Sequence, residues 1–173
     1  MIFTGFKRIS NELFFNKRLK NFAVKRHENE SNGIKKVLVL LDDSSKKTAI
    51  LKDIKNLFGI AESEIDILEF QKKVLKSELL GNVFSPKDFG WYGKIKSKKL
   101  TYILTKKYDL LINYSKVENI YFNVLILQSE TMFNVGFSYL DNQLYDLLIN
   151  CNESDIELFN KEMKKYLAIL KKI

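Results

Sequence analysis

The stretch KVLVLLDDSSKK (residues 36–47) decides the fold class of this 173-residue chain. The unbroken Val/Leu run from Lys36 to Leu41 is typical of a strand buried on both faces, as in a parallel sheet. Asp and Ser follow at once, and these residue types cap helices. Apolar residues then recur at helical spacing up to Phe58, and Gly59 suits a helix end. The stretch therefore predicts a step from strand to helix.

The same alternation continues to the end of the chain. Further strand patterns cover residues 64–70, 108–114, 132–137 and 146–151, residues 83–84 are long enough for a very short strand only, and helical patterns cover residues 94–105, 117–129 and 154–173. Ser154 and Glu157 fit a capping box at the start of the last helix. Alternating strands and helices predict an α/β fold: a Rossmann-like three-layer sandwich with a mostly parallel sheet of about five strands.

A separate helix is predicted before this pattern, over residues 2–26. One apolar stripe comprises Ile2, Phe6, Ile9 and Leu13, and a second, on a different face, comprises Phe15, Leu19 and Phe22. The change of face near residue 14 indicates a bend, or a helix that different surfaces cover along its length. A polar linker ending at Gly33 follows. We therefore expect an appended helix and linker over residues 1–33 and a single α/β domain over residues 34–173.

Positive charge is concentrated in this helix. The chain has a net charge of +8, of which residues 1–28 hold +5. Such a segment is typical of RNA binding, where cations neutralise phosphates. Two alternatives stay open: a membrane-surface helix that inserts Ile2, Phe3, Phe6 and Ile9, and a helix that only covers the domain. The candidate contact residues are Lys7, Arg8, Lys17, Arg18, Lys20, Lys25 and Arg26.

A loop with the sequence FGWYGK (residues 89–94) is the second candidate binding element. Its glycines permit unusual backbone angles, while Phe89, Trp91 and Tyr92 offer flat faces beside Lys94. Aromatic faces among cations suit nucleobases and protein partners. The alternative is a loop that buries its own aromatic side chains, because large aromatics usually serve packing.

Polar residues after two predicted strands form a possible ligand crevice, because ligands of open α/β sheets bind outside the carboxyl ends of the strands. These residues are Asp42, Asp43, Ser44, Asn113 and Tyr114. Two carboxylates with hydroxyls are able to hold a hydrated metal ion or a sugar hydroxyl, as an enzyme, or a degenerate one, would require; the interpretation that the residue types favour is that Asp43 and Ser44 only cap a helix.

No catalytic set accompanies this crevice. The chain has one histidine, His27, and one cysteine, Cys151, and it lacks a glycine-rich phosphate-binding motif. We therefore expect no metal site, no cofactor and no catalytic residues.

The localisation expected from the sequence is cytoplasmic. The longest aliphatic run, residues 37–41, is far shorter than the ~20 residues that span a bilayer. Charged and polar residues interrupt the apolar residues at the N-terminus, so no signal-peptide core forms.

Four segments carry a family resemblance: FGWYGKIKSKK (89–99), YDLLINYSKVENIYFNVL (108–125), FNVGFSYLDNQLYDLLIN (133–150) and ELFNKEMKKYLAILKKI (157–173). Together they resemble an uncharacterised, mainly flavobacterial domain family, which implies no known activity. YDLLIN, with the helix and NVGF after it, is also similar to the N-terminal Rossmann-like half of heptosyltransferase-type glycosyltransferases. That similarity implies a transferase, but the chain lacks the second half that holds the nucleotide sugar.

The sequence thus favours a non-enzymatic binding protein that associates with RNA or a ribosome-like ribonucleoprotein surface. Two alternatives remain: a glycosyltransferase-like or degenerate Rossmann-type enzyme with its site at the sheet edge, and an adaptor on a membrane surface or in a protein complex.

Overall fold

The computed structural model describes residues 2–25, 33–72 and 82–173. Besides short 3₁₀ turns, these ranges contain five helices and six strands. In chain order they are α1 (Ile2–Lys25), β1 (Val37–Leu41), α2 (Lys47–Phe58), β2 (Ile65–Phe70), β3 (Val83–Phe84), α3 (Lys98–Leu104), β4 (Lys107–Asn113), α4 (Ile120–Gln128), β5 (Glu130–Phe137), β6 (Leu147–Ile149) and α5 (Ile156–Ile169).

All six strands form one parallel sheet in the order β3-β2-β1-β4-β5-β6. The α/β prediction is confirmed, with six strands where the sequence indicated about five. The strand order reverses direction between β1 and β4, which pair from Val37↔Leu110 to Leu40↔Asn113. In sheets of this order, the carboxyl ends at that reversal are where ligands usually bind.

The first strand-to-helix step forms as the sequence predicts. All five residues of β1 are buried, as expected for a strand covered on both faces. Asp43 accepts a hydrogen bond from the backbone N–H of Ser45 and so caps the turn that leads into α2. Gly59 ends α2 in the left-handed conformation, with φ of 66°, and donates to the carbonyl of Lys55.

Two helix starts differ from the prediction. The capping box of Ser154 and Glu157 is wrong, because α5 begins one residue later and Asp155 accepts the N–H of Leu158. The helix predicted over 94–105 is shorter, because Ser97 caps it and Phe89 pairs with Ile95 in an isolated antiparallel bridge. Residues 94–97 therefore belong to the loop before α3.

Helix α1 packs against α4. Six consecutive α4 residues, 121–126, are buried, which requires cover on the side away from the sheet as well. Helix α1 contributes to this cover, and Phe15 and Leu19 of α1 are buried in the same core. The linker residues 26–32 lie outside the described residues. Whether the helix packs on its own domain could not be read from the sequence, and the structure shows that it does.

This packing also explains why the apolar stripe changes face. Phe15 and Leu19 point into the domain, and Phe22 is partly buried against the same core. Phe6, Ile9 and Leu13 lie on the opposite face and are 57%, 52% and 55% exposed. The two stripes therefore have different surroundings on one continuous helix.

Candidate nucleic-acid interface

Helix α1 is bonded directly to the aromatic loop. The buried side chain of Asn11 accepts the N–H of Gly93 at 2.8 Å and donates to the carbonyl of Gly90 at 3.2 Å. One residue earlier, the Ser10 hydroxyl accepts the N–H of Tyr92 at 2.8 Å. Side chains of the helix thus satisfy the backbone groups that this turn leaves unpaired.

Local packing holds the loop in this position. Phe89 is fully buried, with ring centroids 4.9 Å from Tyr121 and 6.1 Å from Phe84. Gly93 has φ of 70°, and the Phe14 ring occupies the space where a Cβ would stand. Only glycine combines that backbone angle with so close an approach. Tyr92 also has a positive φ, 49°, although it is not glycine.

The loop combines both interpretations of its aromatic residues. Phe89 is not an exposed face, as the binding interpretation expected, but a buried anchor. Trp91 and Tyr92, in contrast, are 49% and 64% exposed. The loop therefore buries one aromatic ring and exposes two.

Exposed cations lie in the loop beside these two rings and on the helix that the loop contacts. Lys94 and Lys96 are exposed beside them, and from α1 Lys17 follows Phe14 within a helical turn. Arg18 lies over the Phe14 ring at 5.6 Å, and the same ring packs against Gly93 of the loop. We call the exposed residues Lys17, Arg18, Trp91, Tyr92, Lys94 and Lys96 the basic-aromatic surface.

The other helix cations have different surroundings. Lys7 donates to the carbonyl of Pro86 at 2.7 Å, and burial, reinforced by nearby Lys96, lowers its pKa. Arg8 forms an ion pair with Glu12 at 2.9 Å. Lys20 is exposed, and among the described residues no acid forms an ion pair with Lys17, Arg18 or Lys20. The Lys25 side chain and Arg26 lie outside the described residues, as does His27.

At the sheet edge, the predicted crevice residues bond mainly to the protein itself. Asp43 accepts the Lys116 ammonium at 2.7 Å, which together with Ser45 lowers the pKa of Asp43 to about 2. The other carboxylate, Asp42, accepts the backbone N–H of Lys116 at 3.0 Å, and burial raises its pKa. Ser44 is exposed at the start of the 3₁₀ turn.

The last residue of β4 and the residue after it are more deeply engaged. Asn113 donates to the Tyr145 hydroxyl at 2.7 Å and accepts the N–H of Ser115 at 3.0 Å. Tyr114 lies in the core and donates to Asn160 at 2.6 Å, so it does not face a crevice.

Among the described residues, two buried side-chain atoms lack a hydrogen-bond partner: Asp42 Oδ1 and Ser115 Oγ. Those residues contain no group of three His, Cys, Asp or Glu side chains able to hold a metal ion. A cleft of about 470 Å³ lies elsewhere, between α4 and the amino-terminal ends of β4 and β5.

The fold and this surface define a Rossmann-like α/β domain whose N-terminal helix packs on α4 and carries an exposed basic-aromatic patch. The chain belongs to a family of unknown function, DUF6913, whose model matches residues 7–170. The resemblance to an uncharacterised family is thereby confirmed. No curated protein and no solved structure matches the chain. Within the described ranges, the helices are too short or too polar to cross a bilayer.

Proposed function

We propose that this protein binds RNA, free or within a ribonucleoprotein, through the basic-aromatic surface. One observation carries the proposal: Ser10 and Asn11 bond the basic helix to the loop that exposes Trp91 and Tyr92. The two elements that the sequence singles out as binding elements are thereby neighbours on one side of the domain.

The chemistry of the surface suits a single-stranded polynucleotide. Exposed rings offer stacking faces to bases, worth about 1–3 kcal/mol per base in known complexes. Lysine and arginine side chains around the rings neutralise phosphates and release counterions, so affinity falls as salt rises. The cations at positions 17, 18, 94 and 96 are solvent-exposed and therefore accessible to phosphates.

The enzyme alternative has weaker support. A site at the sheet edge needs polar groups free to meet a substrate. Among the described residues, Asp42 Oδ1 and Ser115 Oγ are without a partner there, but the other crevice groups are engaged. Asp43 is paired with Lys116, and Asn113 with Tyr145, while Tyr114 is bonded inside the core. These contacts suit structural roles. We therefore propose no catalytic activity.

Charge reversal tests the proposal. Binding of labelled single-stranded oligoribonucleotides to the full chain, measured by fluorescence anisotropy, should weaken as salt rises, with a linear slope of log affinity against log salt. The triple variant Lys17→Glu, Arg18→Glu and Lys20→Glu should bind at least tenfold more weakly.

The control is a triple variant of the same charge change on α2 and α5: Lys52→Glu, Lys161→Glu and Lys164→Glu, all exposed lysines. This control should lose much less affinity. Equal losses of RNA affinity in both variants would show that binding is only non-specific electrostatic attraction, which contradicts the proposed surface. Salt-independent or absent binding would overturn the proposal. Native pull-down with and without ribonuclease then identifies whether partners from cells depend on RNA.

A further inference from the structure

The apolar face of α1 that points away from the domain has no role in the proposed RNA contact. Phe6, Ile9 and Leu13 are each more than half exposed. They lie three and four residues apart, so their side chains are adjacent on the helix surface. We call these three residues the outer stripe.

We propose that the outer stripe docks α1 onto the surface of a bilayer that contains anionic lipid. This is an interaction beyond RNA binding: the outer stripe carries it, while Lys17, Trp91 and Tyr92 belong to both surfaces. The opposite face of α1 is bonded to the domain through Ser10 and Asn11 and packed on α4. The helix would therefore lie in the plane of the interface, with the domain above it.

Charge complementarity selects this partner. Lys17 and Lys20 continue the outer stripe towards the C-terminal end of α1 and are exposed. Glu12, an acid on the same helix, is already paired with Arg8. A partner must therefore supply an apolar phase and negative charge together. Anionic lipid does so, because acyl chains receive the apolar side chains and headgroups attract the lysines.

Other occupants fit less well. RNA supplies negative charge but has no apolar phase for Ile9 and Leu13. A second copy of the chain would supply an apolar stripe, but it would also bring the same excess of lysine and arginine towards these cations.

The aromatic loop adds to the same edge of α1. Phe6 and Leu13 are the helical neighbours of Ser10, which lies between them and holds the backbone of Tyr92. Exposed Trp91 and Tyr92 therefore border the outer stripe. Tryptophan and tyrosine favour the boundary between headgroups and acyl chains, where one part of the ring is apolar and another is wet.

Vesicle flotation of the full chain tests the proposal. Vesicles of phosphatidylcholine with phosphatidylglycerol should carry the protein, and those of phosphatidylcholine alone should carry at least tenfold less. Since Trp91 is the single tryptophan, its emission should shift to shorter wavelength on the anionic vesicles.

A matched pair of variants isolates the outer stripe. Phe6→Ser with Leu13→Ser should lower flotation at least tenfold, whereas Val117→Ser with Ile169→Ser, which changes residues 62% and 64% exposed elsewhere, should not. The stripe variant should keep its thermal melting point and its RNA affinity, which separates this proposal from the RNA proposal. Absence of flotation, equal flotation on both vesicles, equal loss in both variants, or a stable dimer that the stripe variant dissociates would each overturn it.

Discussion

The side-chain oxygen of Asn11 accepts the backbone N–H of Gly93 at 2.8 Å, and both residues are buried. This bond spans 82 residues of sequence and joins α1 to the aromatic loop. It fixes the position of Trp91 and Tyr92 relative to the lysines of the helix. A buried amide side chain without hydrogen-bond partners destabilises the folded state. The bonds that Asn11 makes to the loop therefore determine whether this residue stabilises the protein.

Replacing Asn11 with leucine should destabilise the protein by about 2–4 kcal/mol. The change leaves the N–H of Gly93 and the carbonyl of Gly90 buried without partners, and each such group costs about 1–3 kcal/mol. Chemical denaturation measures the loss. Asn16→Leu, at an exposed position of the same helix, is the control and should change stability little. Equal effects of the two variants would show that the Asn11 bonds contribute nothing specific.

Gly93→Ala should destabilise more than Gly59→Ala. Both glycines have positive φ, 70° and 66°, so both variants carry similar backbone strain of about 1 kcal/mol. Of the two, only Gly93 would bring the new Cβ against another side chain, the ring of Phe14; at Gly59 nothing lies within 4 Å. The losses in the free energy of unfolding, obtained from thermal melts of the two variants, should therefore differ by about 1–3 kcal/mol. Equal losses would mean that α1 moves away from the loop without cost.

Tyr114→Phe should cost about 1–2 kcal/mol of folding stability. The change removes the hydroxyl that donates to Asn160, which in turn donates to Asp53, so a buried amide oxygen loses its partner. Tyr166→Phe, which removes an exposed hydroxyl from α5, is the control. Denaturant midpoints measure both, and a Tyr114 variant as stable as the control would argue against this network between β4, α2 and α5.

Asp43 should contribute stability that is lost only at strongly acidic pH. Its partners Lys116 and Ser45 hold its pKa at about 2, below the ordinary value of 3.8. Stability from a depressed carboxyl pKa is present above the unfolded value and disappears as pH falls through the folded value, here between about pH 4 and 2. Since the pair is partly exposed, the contribution at neutral pH should be below about 1 kcal/mol.

Asp43→Asn measures this contribution. Stability should fall slightly at pH 7 and match that of the unchanged protein near pH 2, in a series of denaturation curves. If the free energies of unfolding of the two proteins differ by the same amount from pH 7 to pH 2, protonation of Asp43 is not coupled to the loss of its ion pair with Lys116.

Local pattern was sufficient for most of the fold. The Val/Leu run before Asp42 and the left-handed Gly59 follow from residue type alone, and both appear as predicted. The strand order was not predictable, because the pairing of β1 with β4 depends on contacts far apart in sequence. The start of α5 was misplaced by one residue because Ser154 and Asp155 are both good caps.

The residues of the candidate site could be predicted from the sequence, but their arrangement in one surface could not. Basic residues and the FGWYG segment are visible in the sequence, whereas the bonds from Ser10 and Asn11 to that loop are not. The signal available in the sequence was the position of Ser10 and Asn11 between the two apolar stripes. Polar side chains on a buried helix face rarely lack hydrogen-bond partners, so these two indicated a contact with another segment. The burial of Phe89 and the exposure of the outer stripe likewise depend on which face of α1 meets α4.

The most direct measurement of the proposed RNA interface is the emission of Trp91, the single tryptophan, during titration with single-stranded RNA. Stacking of a base on the ring should quench the emission in a saturable manner at low salt, and added salt should reverse the quenching. Emission that stays unchanged while RNA is bound or in excess would contradict an RNA surface formed jointly by α1 and the aromatic loop.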